Sequence, residues 1–444
     1  MRPLELRPAA VRRSTSRRAL LAGSVGNLVE WYEFGVYGCL ATVIAANFFT
    51  PDASGAGGSG GAEALVATYA SFALAFFFRP VGAVLFGRLG DRVGRRPTLI
   101  AVVCLMTLAT ATIGLLPTRA AIGSAAPWLL TLLRILQGLS AGGEFGGAVA
   151  LMTEYAPVGR RGLHGAWQSF TVALGLLTGA GTAATLASTL PAEALHAWGW
   201  RIPFLLALPL GAVALWLRTA LEEPPGAAPP RSTAAGPPVE AVQTVGAREL
   251  SRAVVLGIGR IMGWSAAGYT FLVVLPSYLQ TALGASLREA LLATALANAG
   301  FAASILPAGA LSDRIGRRPV MMCGALGVVV LALPLLHLLQ SPGASPWARA
   351  GAVLLAGALV GLLAGPGPAM LAEMFPRKVR CTGLGLAYAL ANAVFSGCAG
   401  LVITALIART GDTAVPAYYA AGACALSCPA LLTLRGRDHR EPLR

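Results

Sequence analysis

The chain has 444 residues, of which 56% are hydrophobic and only 12% charged, and its mean hydropathy is +0.68. Soluble domains carry about 25% charge, so a soluble globular body is excluded, and the apolar richness equally excludes a disordered chain. The formal net charge of +15 does not indicate a nucleic-acid partner, because the basic residues lie in short clusters between apolar runs rather than on one polar face.

A helix needs about 20 apolar residues to cross a bilayer. Twelve such runs follow along the chain, at 19–48, 62–87, 98–116, 126–153, 162–189, 200–220, 252–281, 287–311, 319–340, 346–373, 381–408 and 414–435. The expected fold class is therefore an all-α integral membrane protein of twelve transmembrane helices. Residues 1–18 form a basic N-terminus, and the apolar run after them is too long for a cleavable signal peptide, so it reads as the first span. Residues 19–220 and 251–435 make two six-helix bundles; 221–250, rich in Pro, Ala, Gly and Ser, is the linker, and 436–444 the tail. Basic residues fall mostly on one side, with 26 on the side of both termini and four (Arg119, Arg288, Arg349, Arg409) on the other. By the positive-inside rule, N- and C-termini are cytoplasmic.

The halves repeat each other. Gly87-Arg-Leu-Gly-Asp91-Arg92-Val-Gly94-Arg95-Arg96-Pro97 matches Gly309-Ala-Leu-Ser-Asp313-Arg314-Ile-Gly316-Arg317-Arg318-Pro319 at eight of eleven positions, 222 residues apart. Thr153-Glu154-Tyr-Ala-Pro157 matches Ala372-Glu373-Met-Phe-Pro376 more faintly. Duplicated six-span halves mark many secondary transporters, whose substrate sits between the repeats. In the repeated loop a glycine makes the turn, an Asp can cap a helix N-terminus, and the arginines can pair with acids on neighbouring helices.

Ionisable residues inside spans are costly and mark function. In the first span Glu30, Glu33 and Tyr37 are spaced i, i+3, i+7 on one helical face. Two carboxyls one turn apart disfavour joint ionisation, as a proton carrier requires. The fourth span holds Arg134 and Glu144, ten residues apart, with glycines that suit close helix packing. Arg134 is a candidate to neutralise an acid of the first span. Proton-coupling candidates are thus Glu30, Glu33, Arg134 and Glu144. Substrate-contact candidates are Asn27, Trp31, Tyr37, Gln137, Arg260 and Asn298, with Arg260 placed to meet a carboxylate. Arg79 and Arg201, near span ends, read as structural and able to snorkel. No metal site, cofactor, nucleotide loop or nucleophile–base set is found, so an enzyme is not expected; the seven cysteines read as buried free thiols.

The repeated loop resembles the signature of the major facilitator superfamily. The resemblance implies a conformational latch of Gly87, Asp91, Arg92, Gly94 and Arg95 with Glu154 as partner, repeated at Asp313, Arg314 and Arg317. The strings Gly26-Asn27-x-x-Glu30-Trp31-Tyr32-x-Phe34, Arg79-Pro80-x-Gly82, Gln137-Gly138-x-x-x-Gly142-Gly143-Glu144 and Trp200-Arg201-Ile-Pro203-Phe204 are similar to its metabolite:proton symporters. What that implies is alternating-access symport of a proton with a small polar metabolite, a proline/betaine-type zwitterion or a carboxylate such as 2-oxoglutarate or citrate. A facilitator or proton antiporter of the same fold is the alternative, and a non-transporting sensor a remote one. Partners are then the substrate, the proton and the lipid of the plasma (inner) membrane, with a monomer sufficient. Position 33 is Glu where the family usually has Asp, and Gly365-Pro366-Gly367-Pro368 stands where Glu144 would be mirrored, which confines the proton machinery to the first half. The short tail does not imply osmotic gating.

The topology predicts that reporter domains fused within 225–240 or after Arg444 are active only when cytoplasmic, whereas insertions beside Arg119 or Arg349 report the opposite side.

Overall fold

The computed structural model describes residues 9–50, 59–93, 95–142, 149, 152–153, 156–157, 159–219, 247–376 and 379–434, and their regular elements are all helical. In the first half α1 covers Ala9–Cys39 and continues after a 64° bend as Ala41–Phe49. It is followed by α2 (Ser59–Val93), α3 (Arg95–Leu115), α4 (Ala125–Ala141) and α5 (Arg161–Thr189), then α6 (Ala192–Leu217). In the second half come α7 (Arg248–Leu283), α8 (Leu287–Ile315) and α9 (Arg317–Gln340). The chain ends in α10 (Pro346–Met374), α11 (Arg380–Thr410) and α12 (Val415–Leu432). Among the described residues ten helices are long and apolar enough to span alone and the bent α1 makes an eleventh; α4, with 17 described residues, holds the remaining position.

Three boundaries differ from those expected. α1 begins at Ala9 rather than 19, because a helix satisfies its own backbone and can run on past the hydrocarbon into an Arg-rich segment. α6 starts at 192 rather than 200, through a π turn at Leu195–Gly199. Helix resumes at Ala247, inside the expected 221–250 linker. The rest of that linker and the 436–444 tail lie outside the described residues.

The two halves use the same packing device. On the α2–α4 seam, a methyl group at Gly82, Gly138 or Gly142 would overlap the carbonyls of Leu139, Ala75 or Arg79. On the α8–α10 seam, Gly300, Gly357 and Gly361 stand equally tight against Leu354, Ala297 and Ser304. Without a hydrophobic drive between helices in lipid, close backbone approach is what supplies the dispersion energy. The turn after α8 uses Gly316 at φ 98°, a conformation that L side chains rarely adopt, which accounts for the glycine in the repeated loop.

Trp128 at the start of α4 and Trp347 at the start of α10 are 74% and 87% exposed and stand at the same membrane end of each half, an aromatic belt at the interface. Between the halves α5 packs on α8, α2 on α11 and α1 on α7. At the end carrying the basic loops, Asp313 accepts from the amides of Gly162 and Leu163 at 2.7 and 2.9 Å. At the other end Tyr69 and Ser277 share a hydrogen bond of 2.6 Å, and Thr42 donates to Gln280 at 3.1 Å. The seam is closed above and below.

Replacing Gly138 by Leu is expected to lower the thermal unfolding midpoint in detergent by about 5–10 °C, or to prevent assembly, because backbone has to move. Gly422, with nothing within 4 Å of an added methyl, should accept Ala without loss; both are read by fluorescence-detected size exclusion after heating.

Candidate functional site

Four charged side chains are buried together in the first half, and α1 arranges them. Glu30 faces α2, where the Arg79 guanidinium lies 3.3 Å away. Glu33, one turn on, faces α3 and accepts from the Thr110 hydroxyl at 2.5 Å. Tyr37, two turns on from Glu30, shares a hydrogen bond of 2.7 Å with Ser71 of α2. The carboxyls share a helical face, as expected, yet each has its own partner.

Arg134 of α4 does not touch either acid. Its Nη1 donates to Gln137 Oε1 at 2.7 Å, Gln137 Nε2 donates to Thr110 Oγ1 at 2.6 Å, and Thr110 donates on to Glu33. The expected neutralisation of an acid by Arg134 thus runs through a relay of two polar side chains. The guanidinium itself rests on rings, with its centre 4.1 Å from the Tyr37 centroid, 4.8 Å from Phe72 and 4.9 Å from Phe34. Phe34 carries Arg79 at 4.5 Å as well, so one ring lies against both cations. A desolvated cation–π contact contributes about 2 kcal/mol, which helps two arginines to persist where a cation is costly. Among the described residues, Glu33 Oε1 and Arg134 Nε and Nη2 have no hydrogen-bond partner. The cluster therefore holds unused acceptor and donor capacity.

Arg79 is a correction to the sequence expectation. It is 4% exposed, over the rings of Phe34, Phe76 and Trp31, and does not snorkel, because aromatic faces and Glu30 stabilise it in place. Arg201 is structural as expected, donating to the Gly114 and Leu116 carbonyls at the end of α3.

Beside the cluster, midway along the seam, lies a cavity of about 30 Å3, room for a water or two and too small for a metabolite. Trp31 of α1 and Ser169 of α5 face Trp264, Ser265 and Tyr269 of α7 and Tyr388, Asn392 and Ser396 of α11. Both second-half walls are locally unwound into π turns, Thr270–Val274 and Asn392–Gly397, a departure that recurs at functional sites. Tyr269 presents a buried hydroxyl without a partner among the described residues.

Of the candidate substrate contacts, Trp31 lines this cavity. Asn27 instead ties α1 to α5, donating to Thr171 at 2.6 Å; Tyr37 and Gln137 belong to the charge cluster. Asn298 stands behind the α7 π turn, donating to the Leu272 carbonyl at 3.2 Å. Arg260 is a correction: it donates to Thr433 and the Ala430 carbonyl at the end of α12, because its position on α7 is one turn short of the cavity-facing Trp264. Thr110, Tyr269, Asn392 and Ser396 were not singled out from sequence, since a hydroxyl or amide in an apolar helix carries no signal until its neighbours are known.

The second-half loop is held by ion pairs. Arg317 bridges Asp313 at 2.8 Å and Glu373 at 3.0 Å, so the acid in the fainter repeat is the arginine's partner, while Arg314 is exposed. In the first half Arg92 is exposed; Gly94, Glu144 and Glu154 and the side chains of Asp91 and Arg95 lie outside the described residues, as does the environment of Gly87. No group of three metal-ligating side chains occurs among the described residues.

Comparison with known proteins places this geometry. Residues 19–226 match the family model for sugar (and other) transporters and 256–444 that of the major facilitator superfamily. An alpha-ketoglutarate permease of Escherichia coli is 37% identical over 90% of this chain and 90% of its own length. A proline/betaine transporter of Salmonella typhimurium is 34% identical over 91% of this chain and 80% of its own. The fold matches the structure of a proton:xylose symporter with a TM-score of 0.73 at 20% identity, covering 95% of each chain. The chain is thus a multi-pass membrane protein and belongs to the major facilitator superfamily, among its metabolite:proton symporters.

Proposed function

We propose that the protein takes up a small zwitterionic metabolite of the proline/betaine type together with a proton, by alternating access across the plasma membrane, with both termini cytoplasmic. The observation that carries this reading is the buried relay from Glu33 through Thr110 and Gln137 to Arg134, one aromatic layer from the cavity. When Glu33 loses its proton, the nearest cation along the relay is Arg134, which answers by leaving its rings. Phe34 lies 6.2 Å from Trp31, and Trp31 faces the cavity, so movement of the guanidinium is felt where the substrate sits.

The lining favours a zwitterion over a citrate-like tricarboxylate. Five aromatics, Trp31, Trp264, Tyr269, Phe301 and Tyr388, surround a cavity whose other polar groups are hydroxyls and an amide. Such a cage suits a quaternary or secondary ammonium, while no arginine or lysine lines it. A single carboxylate is met by hydroxyl and amide donors; three would demand cations. The relatives' names span both classes, and the lining is what favours one of them. Substrate entry requires the closed seam to part, which is the role proposed for the latch at Asp313, Arg317 and Glu373 and for its first-half counterpart.

Two outcomes follow. In proteoliposomes with an inward proton gradient, accumulation of radiolabelled proline or glycine betaine should collapse on adding a protonophore. Glu33→Gln should reduce accumulation at least about tenfold; gradient-independent accumulation refutes the coupling. Separately, glycine betaine should raise the unfolding midpoint of the purified protein and citrate should not. Trp264→Leu should weaken that stabilisation by about tenfold in concentration, the loss of a cation–π contact.

A further inference from the structure

A second cavity lies inside the first half, away from the seam. Its volume is about 20 Å3, enough for a water molecule. Glu30, Val103, Thr107, Ser140 and Ala214 bound it, so it is enclosed by α1, α3, α4 and α6. Gly26, Ala141 and Ala214 in its wall are small, which is why four packed helices leave space. Its lining is unexpectedly polar for a gap between helices in hydrocarbon. Thr107 is 8% exposed and its hydroxyl has no hydrogen-bond partner among the described residues, a deficit that costs about 1–3 kcal/mol and that a water here would remove. Ser140 adds a second hydroxyl, turned on the Met106 sulfur and the Gln137 carbonyl, each at 3.0 Å.

Position along the helices puts this cavity toward the basic end. Gly26 precedes Glu30 on a helix that leaves that end, Val103 and Thr107 lie in the two or three turns after Arg95, and Ala214 is one turn before Arg218. Glu30 therefore has two sides. One meets Arg79, whose guanidinium stacks on the cavity-lining Trp31; the other is wall of the intrahelical cavity.

We propose that this cavity is a water branch that carries protons between Glu30 and the cytoplasmic side without passing through the seam between the halves. The proposal rests on Glu30 being a proton-coupling carboxyl. On unloading, the O–H bond of the Glu30 carboxyl breaks, its proton forms a bond to a water held by Thr107 and Ser140, and the carboxylate left behind is neutralised by Arg79. Among the described residues, the charged and titratable groups within reach of Glu30 include Arg79 on α2, Glu33 on α1, Tyr269 on α7 and Tyr388 on α11. The described residues of α3, α4 and α6 that line the cavity contribute none. Substrate and proton then leave by different doors.

The test uses Thr107→Cys in a full chain whose seven native cysteines are replaced, with Ag+ as a water-sized probe and residual thiol counted by maleimide after denaturation. In inverted membrane vesicles Thr107→Cys should react at least about tenfold faster than Ala173→Cys, a fully buried control on α5; in right-side-out vesicles it should not. Equal inertness, or access from the outer face alone, overturns the branch. Should that variant fail to assemble, Ser140→Cys takes its place. A second measurement follows the infrared carboxyl band that Glu30→Gln removes after a jump into D2O. Filling the cavity with Ala214→Leu should slow its deuteration at least about tenfold, and unchanged exchange overturns the proposal. Fast Ag+ access with proton-driven accumulation intact in Glu30→Gln would leave the water branch standing and refute the coupling role of Glu30 instead.

Discussion

A guanidinium with no exposed surface dominates the physics of this molecule. Arg134 is completely buried in a segment that lies within hydrocarbon, where an isolated cation is costly. The first half is built around keeping it there. Three rings give it a π surface, Gln137 takes one N–H, and Glu33 compensates its charge through Thr110 rather than by contact. Arg79 repeats the arrangement with a direct partner in Glu30. Both cations rest on the same Phe34 ring, so the two sites share one piece of aromatic packing. The glycine seam between α2 and α4 is part of the same constraint, since Arg79 and Arg134 stand on those helices and only a close backbone approach brings both onto Phe34.

The second half has the same skeleton, but its buried arginines stand away from the cavity, Arg260 against the end of α12 and Arg317 in the loop after α8. Its α8–α10 seam repeats the glycine packing and its loop is tied by Arg317 to Asp313 and Glu373, but the positions beside the cavity carry Trp264, Ser265, Asn392 and Ser396. At the cavity itself the second half thus presents a neutral, hydrogen-bonding wall, while the described charge cluster beside it belongs to the first half. The π turns in α7 and α11 belong to that wall, where they leave backbone groups to be satisfied by side chains such as Asn298.

The span count, the two-fold repeat and the acids of α1 were legible in the chain because each follows from a one-dimensional signal: hydropathy, identity at an offset of 222 residues, or helical spacing. Latch geometry was legible in part, since Glu373 falls opposite Arg317 as the repeat suggests. Pairing between helices was not. That Glu30 would choose Arg79 and leave Arg134 to a relay depends on helix rotation, which sequence spacing within α1 does not encode. Arg260 shows the same limit: one turn along α7 separates a residue that faces the seam from one that caps α12. Helix ends were misplaced where polar residues continue a helix beyond the apolar run, as in α1 and α6.

The exposed indoles of Trp128 and Trp347 bear on how the seam can open. One stands on each half, at the same membrane end and at matching places in the repeat. Each behaves as a float pinned at the water line, since an indole is best placed in the interfacial layer. Sliding one half along the membrane normal would drag its float into hydrocarbon or out into water. Tilting each half about an axis in the membrane plane leaves both floats near their level, so the outer belt steers the molecule toward rocking and away from an elevator-like stroke.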